Sequence, residues 1–169
     1  MEVIIREAQP SDAAQIVAYV NQLIEEPNSN LEMSPGEFMH TVEEEAGILA
    51  EFAASENSVY LVADVNGKIV GNLNCKGSNR KAIRHAVTLG MSVDEAYRNQ
   101  GIGSQLMACA IEWAKGTGIV KRIELAVFER NTIAIRLYLK FGFEIEGKRR
   151  KAGFRDGAYH DGLIMALLL

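Results

Sequence analysis

The stretch that decides the architecture is Tyr97-Arg-Asn-Gln-Gly-Ile-Gly-Ser104, "YRNQGIGS". It lies between an apolar run, His85 to Val93, and an amphipathic one, Ile102 to Lys115. A strand therefore hands over to a helix there. A helix N-terminus offers unpaired N–H groups and a partial positive charge. Gly101 and Gly103 keep side chains away from those groups, and Arg98 adds formal charge beside them. Together they make a cradle for a bulky anion such as pyrophosphate. A Walker loop is excluded, because no Gly-Lys-Ser/Thr follows, and a dinucleotide fingerprint fails at Leu106. On its own, the R-x-x-G-x-G spacing also allows glycines that only turn the chain.

Working outward, Val3 to Glu7 reads as a first strand, and Asp12 with Gln15 as a capping box for a helix carrying Ile16, Val20, Leu23 and Ile24. Ser34-Pro35-Gly36-Glu37 reads as the start of a second helix running to about Ala54, with Ser34 as cap and Glu37 reaching back. Strands follow at Ser58 to Val65 and Lys68 to Cys75, joined by a tight Asn66-Gly67 turn. Arg84 to Val93 leads into the glycine loop, and Ile119 to Phe128 follows its helix. Asn131 caps a further helix that presents Ala134, Leu137, Tyr138 and Phe141 and stops at Gly142. Phe143 to Lys151 and Tyr159 to Leu167 are the last strands. The expectation is a single α/β (α+β) domain over residues 1–169, a mixed sheet of about six to seven strands with about four helices on its faces.

Three stretches now carry a resemblance: "VDEAYRNQGIGSQL" (93–106), "IELAVFERNTIAIRLYLKFGFEIEG" (123–147) and "DGAYHDGLIMAL" (156–167). Together they resemble the GNAT superfamily of acetyl-CoA-dependent N-acetyltransferases, strongly over about residues 84–169 and by element order before that. The last stretch is similar to the branch with ribosomal-protein N-terminal, spermidine and phosphinothricin-type acetyltransferases.

The resemblance implies acetyl-CoA as cofactor and an amine as acceptor, attacked directly within a ternary complex. It implies that backbone groups of Met91, Ser92 and Val93 hold the pantetheine arm. Arg98, Asn99, Gln100, Gly101, Ile102, Gly103 and Ser104 form the pyrophosphate loop, and Asn131 bonds the cofactor arm. Tyr138 becomes the acid that protonates the departing thiolate. Spacing alone would place Tyr138 in the core stripe. Some members carry a glutamate base where this chain has Ala126, so the base is open between His85 and carboxylates of the first two helices. A homodimer is also implied.

The residues before Lys68 carry one base and 13 acids, a net of −12; residues 68–169 carry 17 bases and 9 acids, a net of +8. Opposite potentials would steer an anionic cofactor and a cationic acceptor to separate entrances; the alternative is two solvated faces that serve solubility. The densest acids of the first half are Glu25, Glu26 and Glu43 to Glu45. Two cysteines and three scattered histidines make no metal pattern, so no metal is expected. The start MEVIIREAQP shows no leader and the chain no membrane span, which points to a cytoplasmic protein. The basic run Lys148 to Lys151 suggests an edge strand more than a nucleic-acid surface, since no aromatic flanks it and the chain is acidic. A non-catalytic acyl-CoA-binding module on the same fold is the alternative to an enzyme.

Overall fold

A computed structural model describes residues 2–169. Seven strands form one sheet: β1 (Ile4–Glu7), β2 (Val59–Val65), β3 (Lys68–Gly77), β4 (Ala86–Val93), β5 (Arg122–Phe128), β6 (Glu144–Arg155) and β7 (Ala158–Leu168). Their order across the sheet is β1-β2-β3-β4-β5-β7-β6, and every neighbouring pair is antiparallel except β4 and β5. Four α-helices cover it: α1 (Ala13–Glu25), α2 (Val42–Ala54), α3 (Ile102–Gly116) and α4 (Thr132–Lys140). Alternation along β2 shows how both faces are used. Leu61, Ala63 and Val65 pack with Leu106, Met107 and Ala110 of α3, while Tyr60 and Val62 pack with Ile16 and Leu49 of α1 and α2. A strand covered on both sides is almost continuously apolar, and VYLVADV is nearly so.

The β2–β3 hairpin turns at Asn66 and Gly67, with φ of 52° and 83°, the left-handed pair a two-residue turn requires. Asp64 Oδ1 accepts the Gly67 N–H at 2.7 Å and closes it. Gln15 anchors the same turn from α1, donating to Gly67 O and accepting from Ile69 N. Gln15 therefore does not complete a box with Asp12. The Asp12 carboxylate instead takes the Gln9 N–H and the Arg6 guanidinium, which holds its pKa below the usual carboxylate value.

The second helix begins later than its sequence suggested. Glu37 does reach back to the Ser34 N–H at 2.7 Å, but Gly36 has φ +83°. Pro35 and Gly36 thus make a turn with a left-handed third residue, and the helical path stops. The working cap is Thr41, whose Oγ1 accepts from Glu44 N while Glu44 Oε2 accepts from Thr41 N.

Strand β6 is the exposed edge, as the basic run implied. It carries a register irregularity between Arg149 and Gly153, and Lys148 pairs with Glu129 and Asp161. One detail corrects the sequence reading: the hairpin brings Tyr159 beneath Lys151, 5.1 Å from ring centre to Nζ, and stacks it beside Phe154.

Candidate active site

Strands β4 and β5 pair only from Ala86↔Arg122 to Thr88↔Glu124. Beyond Thr88 they splay, because β4 runs on with β3 while β5 runs on with β7. The edge of β4 at Met91, Ser92 and Val93 is left without a strand partner on that side. A cleft of about 350 Å³ opens there, within the range of small-molecule sites.

The glycine loop forms one wall. Arg98 Nε donates to Val93 O at 2.8 Å, which clips the loop to the end of β4. Asn99 and Gly101 both have positive φ, 61° and 83°, and turn the chain sharply into α3. Gly101 is the N-cap and has no side-chain cap. The first α3 bond to its carbonyl comes from Gln105 N, so the N–H groups of Ile102, Gly103 and Ser104 have no helical acceptor. A Cβ on Gly101 would meet nothing within 4 Å, so the approach to those groups is open. Gly103 serves packing as well: a Cβ there would lie 3.3 Å from Leu137 Cδ2 of α4.

Helix α4 forms the opposite wall. Asn131 caps it, its Oδ1 accepting from Ala134 N at 3.3 Å. Tyr138 is buried against Phe143 yet lines the cleft, so one ring belongs to both the core and the cleft wall. Burial pushes its phenol up to about 12, which keeps it protonated at neutral pH. Below Ser92 runs a buried polar chain. Ser92 Oγ donates to Asn72 Oδ1 at 2.6 Å, leaving Tyr19 OH to donate to Ser92 Oγ at 3.0 Å. Asn72 Nδ2 continues to Tyr60 OH at 2.7 Å.

The structure thus gathers Met91, Ser92, Val93, Arg98, Asn99, Gly101, Ile102, Gly103, Ser104, Asn131 and Tyr138 around one cleft. Gln100 is in the loop but turns back, donating to Ala96 O. His85 is elsewhere. It precedes β4 at the far end, six residues from Met91 and so about 20 Å away along an extended strand. Its carbonyl is held by Lys121 N and Arg122 N. The position of the missing glutamate, Ala126, is exposed and brings no acid.

The third wall was not anticipated in detail. Residues 28–31, between α1 and α2, line the cleft together with Leu23 and Glu26. Two arginines from the other end of the chain hold that segment. Arg130 donates to Ser29 O and Asn30 Oδ1, and the buried Arg155 donates to Ile24 O and Met33 O. Arg155→Met keeps the stem but strands both carbonyls. It is expected to cost about 3–6 kcal/mol of stability, from two charge-assisted bonds, read from denaturant midpoints. Wild-type stability in that variant would show the latch to be idle.

Of the acids in the first half, Glu26 alone lines the cleft. Glu43 and Glu44 start α2, Glu45 pairs with His40, and Glu25 is exposed. A larger depression, about 530 Å³, lies away at the end of α2. Its central Asn57 is already bonded to Ser78 O and Arg84 O, so nothing there calls for a ligand.

Residues 21–143 match the acetyltransferase (GNAT) family. The chain belongs to that family. The GNAT acetyltransferase of Streptococcus pneumoniae superposes with a TM-score of 0.95 at 38% identity, over 99% of this chain and 100% of that one. The YncA structure of Salmonella typhimurium, which holds acetyl-CoA, superposes at 0.87 over 100% and 95% of the two chains; at 20% identity it supports the fold alone. The L-amino acid N-acetyltransferase AaaT of Escherichia coli is 42% identical over 106 residues, 63% of this chain and 65% of its own length. GNAT proteins named for spermine/spermidine, ribosomal-protein alanine and phosphinothricin also match. The match to the spermine/spermidine enzyme spans 37% of that protein. The site fits acetyl-CoA on its own evidence: free N–H groups at an open helix start, beside an unpaired strand edge.

Proposed function

We propose that the protein is an acetyl-CoA-dependent N-acetyltransferase that acts on a primary amine. The carrying observation is the coincidence, in one cleft, of the uncapped α3 N-terminus, the unpaired end of β4 and Tyr138. The N–H groups of Ile102, Gly103 and Ser104 bind the pyrophosphate. The β4 edge at Met91–Val93 takes the pantetheine arm as a further strand would lie, and Asn131 bonds the arm from α4. Acetyl-CoA supplies the acyl group as a thioester, activated toward a neutral amine.

The chain's own work is then mostly placement: the cleft walls hold an amine in line with the acyl carbon within one ternary complex. Tyr138 donates a hydrogen bond to the sulfur as the C–S bond breaks. An ordinary thiol ionises near 8.5, below a phenol at about 12. The phenol therefore recovers its proton from the amine rather than running as a free acid. The acceptor enters between the α1–α2 segment and β4. A small amine or a peptide N-terminus fits that description, and one acid, Glu26, supports a cationic one. A cytoplasmic setting and a homodimer belong to the same proposal. The free thiols Cys75 and Cys109 support the first, and Ile145 and Phe154, exposed along β6, support the second.

Initial rates with both substrates varied test the direct transfer: intersecting lines are expected, and parallel lines would instead indicate an acetylated enzyme. The second reading is an acyl-CoA-binding module without turnover. Tyr138, buried yet lining the cleft, weighs against it.

A further inference from the structure

Glu26 closes α1, with extended ψ of 132°, just before Pro27. Its side chain is only 11% exposed although it lines an open cleft. One oxygen, Oε2, is taken by Arg98 Nη2. The other, Oε1, is withdrawn from solvent and has no partner, the one buried side-chain oxygen or nitrogen so placed among the described residues. Buried polar atoms are normally bonded, and an unpaired one calls for an explanation, such as a catalytic role or a donor that arrives from outside the chain. The donor has to be an N–H or O–H, and a negative oxygen favours a cationic one.

We propose that Glu26 Oε1 receives the ammonium group of the acceptor and takes its proton, which makes Glu26 the catalytic base. The inference rests on the acetyltransferase function above and names its missing base. The amine arrives as R–NH3⁺, and one proton passes to Oε1. The freed lone pair forms the bond from nitrogen to the acyl carbon, and the C–S bond breaks. Tyr138 supplies the proton that the departing sulfur needs, and the second proton lost by nitrogen restores the phenol. The sum is an amide, a thiol and one proton, which leaves Glu26 for solvent. Arg98 holds the carboxylate through Oε2, which leaves Oε1 as its free oxygen. The same arginine belongs to the pyrophosphate loop, which ties the carboxylate to the cofactor side. The titratable and charged groups that line the cleft with Glu26 are Tyr97 and Arg98 from the loop and Tyr138 from α4; Asp94 faces α1 one turn earlier, accepting from Gln22, and Arg155 holds the carbonyl of Ile24.

The test separates a base from a mere brace for Arg98. Amine binding is measured by calorimetry in the presence of coenzyme A, which cannot transfer. The probes are spermidine, a set of L-amino acids and a short peptide with a free amino terminus. For the best of these, Glu26→Gln is expected to weaken amine binding at least about tenfold and to lower kcat/KM by roughly 10²–10⁴, the range of a lost base. Coenzyme A affinity is expected to stay within about threefold, as Glu26 makes no cofactor contact in this account. The rising acidic limb of kcat/KM moves to higher pH. Glu26→Asp keeps the charge but retracts it by one methylene, and partial recovery is expected. Amine binding and turnover unchanged in Glu26→Gln overturn the proposal. So does a loss confined to coenzyme A affinity, which is the signature of a brace, and so does full activity in Glu26→Asp. If the wild-type protein acetylates none of the probes, the transferase function itself fails and the proposal falls with it.

Discussion

Gly101→Val is expected to abolish measurable acetyl-CoA binding while leaving a cooperative fold. The glycine sits at φ +83° as the N-cap of α3, with open space where a side chain would stand. Valine fills that space, which is the path to the N–H groups of Ile102 to Ser104. Losing two charge-assisted bonds there costs about 3–6 kcal/mol, or at least roughly 10² in affinity. Valine also pays about 1–2 kcal/mol for the left-handed backbone. The helix nevertheless stays, because Ile102, Leu106, Met107, Ala110 and Ala114 are all at most 1% exposed. Gly101→Ala pays similar strain with a smaller blockade, so it should bind better than the valine variant. Calorimetry reads both, and an unchanged affinity in Gly101→Val would remove the cradle from the account.

Tyr138→Phe is expected to lower turnover by roughly 10²–10³ with acetyl-CoA affinity nearly intact. The ring still fills its place against Phe143, so the melting temperature at neutral pH should hardly move. Stability at high pH gives a second readout. The phenol's folded pKa, about 12, lies above its ordinary value of 10.0. Its contribution is therefore whole below pH 10 and lost as pH rises toward 12, because the unfolded chain ionises first. Phenylalanine has no proton to lose, so the variant should keep more of its stability than the wild type between pH 10 and 12. Wild-type turnover in Tyr138→Phe would return the residue to the core alone.

The half of the cleft proposed for the cofactor could be assembled from sequence because its signals are local. Gly101 needs a positive φ, Asn131 caps its own helix, and Met91 to Val93 end a strand; each is set by residues a few positions away. The half proposed for the acceptor is built from distant ones. Arg155 meets the carbonyl of Ile24 across 131 positions of sequence, and no spacing rule announces that. Glu26 looked like one acid among several, and only burial and the splay of β4 from β5 separate it from Glu25. His85 does stand just before the start of β4, but the cleft opens at the other end of that strand, and strand membership does not say which end opens. Ser34 to Glu37 failed for a different reason. Its capping bond exists, yet Gly36 turns the chain out of the helix, and T-V-E-E at residues 41–44 carried the better box.

The most direct measurement follows thiol release and N-acetylated product together, with acetyl-CoA and the amine probes added to the purified protein. Thiol release is expected to depend on an amine, to match the acetylated amine one to one, and to collapse in Tyr138→Phe. Acetyl-CoA binding with no amine-dependent thiol release would contradict the proposed function, and would make the cleft a binding module.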